Sequence, residues 1–205
     1  ATGRVYQQAT EEWLNSGFFL RPQMRTRHST QIKESEQVFG CSGALILFRR
    51  VALTDLVVEG QYFDESYFSY GEDVDLAWRA QLLGWKSWYA SQACAVHVGS
   101  GSSNGQMRFV DKPLFLQRHI LKNRYLTIAK NASWPELIPL TFYWLLSEPL
   151  VWLILFVRNP IRCIRLVPSL SDALRLMPHA MRWRREIQKR CVLGPGQRMR
   201  LIKWL

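Results

Sequence analysis

Tyr70-Gly71-Glu72-Asp73-Val74-Asp75-Leu76-Ala77-Trp78-Arg79-Ala80-Gln81-Leu82-Leu83-Gly84 is the stretch on which the fold turns. Leu76, Ala80 and Leu83 recur at helical spacing and Gly84 is placed to stop the run, so residues 73–83 are predicted to form a helix with Glu72 and Asp73 at its amino end. Just upstream, Phe63-Asp64-Glu65 brings the total to five carboxylates within the thirteen residues 63–75, in otherwise aromatic and apolar surroundings. Acids crowded in such a setting point to a site.

Unpaired N–H groups and the positive end of the helix dipole favour an ionised carboxylate at that position by about 0.3–1 kcal/mol, so Asp73 is expected to be a charged acceptor at neutral pH. Asp75 and Arg79 are four apart and predicted to pair. That leaves Glu72 and Asp73 to face a partner outside the helix. Locally, capping and surface solvation explain an acidic first turn equally well.

The elements Gly40-Cys41-Ser42-Gly43-Ala44-Leu45-Ile46-Leu47-Phe48-Arg49-Arg50, Phe63-Asp64-Glu65, Phe68, Glu72-Asp73-Val74-Asp75-Leu76, Trp78-Arg79, Gly84-Trp85 and His97 occur in a particular order and spacing. In both respects the chain resembles the family 2 glycosyltransferases, most closely bacterial rhamnosyltransferase-like members, tightly over residues 38–130 and loosely to residue 200. The resemblance implies a GT-A (Rossmann-like) α/β fold. It implies that Asp73 is the catalytic base of an inverting sugar transfer from a nucleotide-diphosphate sugar to a hydroxyl. Substrate contacts are implied for Gly43, Asp64, Glu65, Glu72 and Arg79, and His97 is implied as a ligand of a divalent cation, Mg2+ or Mn2+. The family's Asp-x-Asp metal motif has no counterpart, because Asp73-Val74-Asp75 lies inside the helix motif; the expectation is therefore a C-terminal portion of the enzyme, inactive alone, whose donor-binding half lies upstream. Similar sequences place two glycines before Phe-Asp-Glu, where this chain has Gln61-Tyr62, so the turn and the acceptor pocket are expected to differ.

His97 follows the apolar run 93–96 and precedes the Gly/Ser stretch 98–105, a strand end giving way to a loop. That loop can wrap phosphate with backbone N–H groups, but it lacks the lysine and spacing of a P-loop. His179-Ala180-Met181-Arg182-Trp183 superficially matches the Gln-x-x-Arg-Trp motif of processive synthases, with histidine for glutamine and about a hundred residues beyond Asp73, so processivity is not expected.

The net charge of +11 is uneven: residues 1–157 hold 15 Lys/Arg against 14 Asp/Glu, and residues 158–205 hold 12 against 2. A nearly neutral body with a basic appendage argues against a nucleic-acid groove and for an anionic surface. Residues 137–157 are long enough to cross a bilayer at about 20 residues per span. Their thirteen Leu, Ile, Phe and Val residues outweigh the single carboxylate Glu148, which would cost about 2.5–3.5 kcal/mol at a membrane centre. The expectation is a helical pair broken at Pro149 that dips into the cytoplasmic leaflet, with the arginine-rich tail held at the interface; the alternative is a helix that covers the domain with its arginine stems.

The expected organisation is therefore a partial GT-A domain over residues 1–130 and a membrane-associated helical tail over residues 131–205. Strands are expected at 38–48, 85–89 and 93–97, with helices at 111–130 and 171–190. Cys41, Cys94, Cys163 and Cys191 are too dispersed for a zinc site or a disulfide framework. The expected function is synthesis of a cell-surface or lipid-linked glycan; the alternative is a non-catalytic relic acting as a peripheral membrane protein.

Overall fold

The computed structural model describes residues 1–8, 13–15, 17–22, 26–28, 34–98 and 108–203. In chain order the elements are β1 (Thr2–Gln7), β2 (Trp13–Asn15), β3 (Phe18–Leu20), β4 (Thr26–His28), β5 (Glu36–Val38), α1 (Arg50–Asp55), α2 (Glu72–Leu82), β6 (Ser87–His97), α3 (Leu114–Asn131), α4 (Trp134–Arg158), α5 (Pro160–Leu166), α6 (Pro168–Lys189) and α7 (Pro195–Leu201). A four-stranded sheet runs β2-β1-β6-β5, with β1 parallel to β6 and the outer pairs antiparallel; β3 and β4 form a separate hairpin-like pair. The molecule is mixed α/β, with a small sheet and many helices.

Several elements differ from the sequence expectation. The strand expected over 38–48 stops at Val38, and the chain turns at residues 43–44 because Gly40, Ser42 and Gly43 interrupt the apolar run. Gly40 is required there. It bridges Phe18 through two backbone hydrogen bonds of 2.9 and 3.1 Å, and a Cβ on it would stand 2.4 Å from the Phe18 ring and 2.5 Å from the Ala77 methyl. The two short strands expected at 85–89 and 93–97 are one strand, β6, whose pairing with β1 shifts register between Thr2 and Arg4. Helix α6 begins at Pro168, whose fixed φ suits a first helical position, instead of at Ser171.

Helix α2 matches its expected bounds closely. Gly84, at φ +85°, ends it in a Schellman arrangement, with Trp85 N–H donating to Ala80 O at 2.9 Å and Gly84 N–H to Gln81 O at 3.0 Å. Asp75 through Leu82 are all buried, so α2 is a core helix wrapped on every side beyond its first turn. Trp78 and Leu82 pack in one cluster with Phe18, Phe39, Trp183, Ile187 and Ile202.

Residues from α4, α6 and the C-terminal end, among them Leu140, Trp183, Ile187 and Ile202, therefore share the core. Helix α6 also closes the end of α3: Arg184 donates to the carbonyls of Ala129 and Ala132, and Gln188 to Asn131 O at 2.9 Å. These are carbonyls that a helix end leaves without intrahelical partners.

Helix α4 runs unbroken through Pro139 and Pro149, so the break expected at Pro149 does not occur. It docks through a stripe at four-residue spacing. Leu140 is buried, Trp144 Nε1 donates to Pro22 O at 2.8 Å, and Glu148 accepts from Arg124 at 2.5 Å and from the Tyr125 hydroxyl at 3.0 Å. The Arg124 guanidinium also lies 4.6 Å from the Trp144 ring centroid. Glu148 thus faces the domain, and the opposite face, with Ile138, Phe142, Leu145, Leu146 and Leu153, is exposed.

Candidate active site

The five carboxylates separate into two groups. Asp64 and Asp75 are buried at 2 % and 0 % exposure, whereas Glu72 and Asp73 are partly buried and Glu65 is exposed. Side chains two apart on a helix point in nearly opposite directions, so Asp75 turned inward leaves Asp73 on the outer face.

The buried pair is neutralised by two cations. Lys130 Nζ lies 2.7 Å from Asp64 and 3.0 Å from Asp75; Arg79 Nε lies 3.2 Å from Asp75, completing the predicted i,i+4 pair. Asn131 donates to the second Asp75 oxygen at 2.7 Å, Ser66 N–H to Asp64 at 3.0 Å, and His179 Nε2 lies 3.0 Å from Asp64. Burial alone raises the Asp64 carboxyl pKa, but Lys130, Ser66 and His179 override it and bring it down to about 2. The rings of Tyr67 and Trp183 stand 4.3 and 4.5 Å from the Lys130 ammonium. Arg79 further donates to Leu56 O at 2.5 Å and Tyr62 O at 2.6 Å. Among the residues expected to contact substrate, Asp64 and Arg79 are therefore placed in a core ion cluster that ties together the 62–67 loop, α2, α3 and α6.

The loop entering α2 is held in an uncommon shape. Phe68 and Tyr70 have φ of +63° and +66°, and Gly71, the residue capping α2, has φ +92°. Backbone outliers of this kind cost about 1–3 kcal/mol each at a non-glycine residue and persist where neighbours over-determine them. Here the neighbour is Asn123 of α3, whose amide nitrogen lies 3.0, 3.0 and 2.6 Å from the carbonyls of Tyr67, Ser69 and Tyr70. Lys112 adds a 3.1 Å contact to the Tyr70 hydroxyl.

The strained loop presents Glu72 and Asp73. Asp73 accepts from Gly43 N–H at 3.1 Å through Oδ2 and from Val74 N–H at 2.8 Å through Oδ1, so the structure brings together Asp73 and Gly43 from separate motifs. Glu72 lies beside them with Oε2 buried and without a partner among the described residues; burial, then the adjacent Asp73, pushes its carboxyl pKa up. A hydrogen-bonded acceptor and a neighbour biased toward its protonated form stand side by side. That arrangement can take a proton at an Asp73 oxygen, with a second carboxyl beside it.

His97 is exposed at the end of β6, paired with Gln7 of β1. No group of three His, Cys, Asp or Glu side chains close enough to hold a metal occurs among the described residues. The Gly/Ser stretch 99–105 lies outside the described residues.

Sequence reasoning missed Asn123, Lys130 and His179. Lys130 and Asn123 sit in α3, and His179 belongs to the segment set aside for its distance from Asp73. Arg182 and Trp183 of that segment contact Glu59 at 3.4 and 3.1 Å, which seats it against the ion cluster.

The family described as glycosyl transferase family group 2 matches residues 3–183, a span that runs from β1 to the Trp183 contact. No curated protein and no solved structure matches the chain.

Proposed function

The chain belongs to the glycosyl transferase family group 2, so it is a glycosyltransferase that joins a nucleotide-sugar donor to an acceptor, and we propose that Asp73 is its catalytic base. The observation that carries this assignment is the strained Phe68–Gly71 loop, locked by Asn123, that sets Asp73 opposite Gly43. The acceptor O–H bond breaks as its proton passes to Asp73, a new bond forms from that oxygen to the anomeric carbon, and the bond from that carbon to the nucleotide diphosphate breaks with its electron pair. Attack from the face opposite the leaving group inverts the centre. General-base assistance of this kind contributes about 10²–10⁴ in rate. Glu72, beside Asp73, shapes the pocket that receives the acceptor.

The acceptor is a glycan under assembly at a membrane, in cell-surface or lipid-linked saccharide synthesis, and the enzyme works at the cytoplasmic face. Support comes from α4. It is long and apolar enough to cross a bilayer by length and composition, with a mean hydropathy of 1.8, and only 6 % of its most apolar window is buried. Because the Leu140–Glu148 stripe is docked on the domain, α4 lies along the protein with its outer face against lipid, and Glu148 imposes no membrane cost.

The test is Asp73→Asn in the intact enzyme. Turnover is expected to fall by at least about 10²-fold with donor binding retained. Undiminished turnover removes Asp73 from the chemistry.

A further inference from the structure

A groove of about 440 Å³ lies between α3 and α6, and Asp73 is not among the residues that line it. Arg118, His119 and Lys122 line it from one face of α3, and Asp172 and Arg175 from α6. Three cations thus meet one carboxylate. Arg118 is paired with Asp172 at 2.8 Å, but Lys122 and Arg175 form no salt bridge among the described residues.

Lys122 is the informative one. It is only 5 % exposed, and its ammonium donates to the Ser66 carbonyl at 2.5 Å. A buried ammonium that forms no salt bridge is a costly feature, because its desolvation outweighs the attraction of the charges of Asp172 and Asp64. His119 lies one turn back, its ring stacked on Phe68 at 4.9 Å and its Nδ1 buried with no partner among the described residues. A lysine with no salt bridge among the described residues therefore lines one cavity, with Arg118 beside it and Arg175 on the opposite wall.

We propose that this groove binds a phosphate-type anion. An anion bearing two charges balances the excess of the lining. Its several oxygens reach donors on both helices at once, and the planar guanidinium forks suit phosphate oxygens. Bound there, the anion offsets the desolvation that, ahead of the attraction of Asp172 and Asp64, depresses the Lys122 pKa. The site also touches the loop that carries Asp73. Lys122 holds Ser66, Phe68 stacks on His119, and the next residue of α3, Asn123, holds Tyr67, Ser69 and Tyr70. The inference stands apart from the assignment of Asp73, since it needs no sugar transfer.

The phosphate can belong to a soluble compound or to a lipid headgroup, and two arms separate them. In the first, the full chain is titrated calorimetrically with inorganic phosphate and with pyrophosphate. In the second, it is floated with phosphatidylcholine vesicles with and without phosphatidate. Arg175→Gln is expected to weaken binding by about tenfold in the arm that reports the ligand. Asp172→Asn, which removes the competing carboxylate, is expected to tighten it by about threefold. Both positions are on the surface side of the groove, and unfolding midpoints confirm that the variants fold. A response confined to the soluble arm identifies a soluble phosphate, and one confined to the phosphatidate vesicles identifies a lipid. Responses in both, with phosphate displacing the chain from vesicles, identify one site that accepts either. Absence of binding in both arms, or variant effects that do not have these opposite signs, overturns the proposal.

Discussion

Replacing Lys130 with Met is expected to destabilise the protein by about 3–5 kcal/mol at pH 7, the range for removing one partner from a buried ion pair. The magnitude follows from the placement of the ammonium. It is fully buried, 2.7 Å from Asp64 and 3.0 Å from Asp75, and without it two buried carboxylates are left with Arg79 and a partly exposed His179. Met retains most of the packing between the Tyr67 and Trp183 rings, so the loss is chiefly electrostatic. The pH dependence distinguishes it from a packing defect. The Asp64 pKa falls from 3.8 to about 2 on folding, which contributes about 2 kcal/mol. A lowered carboxyl pKa gives stability that is fully present above the unfolded value and lost as the pH falls through about 2.

In Lys130→Met the burial of Asp64 is no longer opposed by the lysine, its pKa rises, and protonation relieves the variant as the medium is acidified. The gap between the two proteins is therefore widest near neutrality and narrows toward pH 3. Urea unfolding followed by tryptophan fluorescence at a series of pH values measures it. A loss below about 1 kcal/mol at pH 7, or a gap that does not change with pH, refutes the account of the cluster.

Glu72→Gln is expected to raise stability at pH 7 and leave it unchanged at pH 4, because burial and the neighbouring Asp73 raise the wild-type carboxyl pKa and so penalise only its ionised form; chemical denaturation at the two pH values checks the sign. Gly40→Ala is expected to cost about 1–3 kcal/mol through overpacking, since the new methyl stands 2.4 Å from the Phe18 ring, and a thermal unfolding midpoint equal to wild type would contradict it. Phe142→Asp and Leu146→Asp, on the exposed face of α4, are expected to reduce flotation with vesicles at about 2–3 kcal/mol per charge, without shifting the unfolding midpoint; unchanged flotation removes that face from membrane contact.

The helix that carries the acids was legible because its signals are local. Leu76 and Ala80 recur at helical spacing, Gly84 provides the left-handed stop, and Asp75 and Arg79 pair at the distance their separation allows. Other elements were legible only in kind. The apolar run Leu45-Ile46-Leu47-Phe48 has strand composition, yet Gly40 and Gly43 serve a close approach and a turn, and Leu47 ends up 74 % exposed. Glu148 illustrates the same limit. Within α4 it looks like a carboxylate in a membrane helix, and only the position of Arg124 on α3 shows that it has a partner.

Long-range placement also explains what was missed at the site. His179, Arg182 and Trp183 follow Asp73 by about a hundred residues, which set them aside as unrelated to it. Helices α3 to α5 form an excursion, and α6 returns along α3, so His179 reaches Asp64 while Arg182 and Trp183 reach Glu59. With Asp64 and Asp75 fixed inside by this return, the geometry of α2 leaves Asp73 on the outer face, two residues from Asp75, opposite Gly43. The core cluster therefore orients Asp73, the proposed base, from inside the fold. Its loss is expected to lower turnover through the Phe68–Gly71 loop in proportion to lost order there, whereas Asp73→Asn is expected to lower it by at least about 10²-fold with the loop intact. Hydrogen-exchange protection of residues 67–71 in the Lys130 and Asp73 variants separates the two effects: equal protection in both, with turnover lost in both, would place Lys130 in the chemistry instead of in the scaffold.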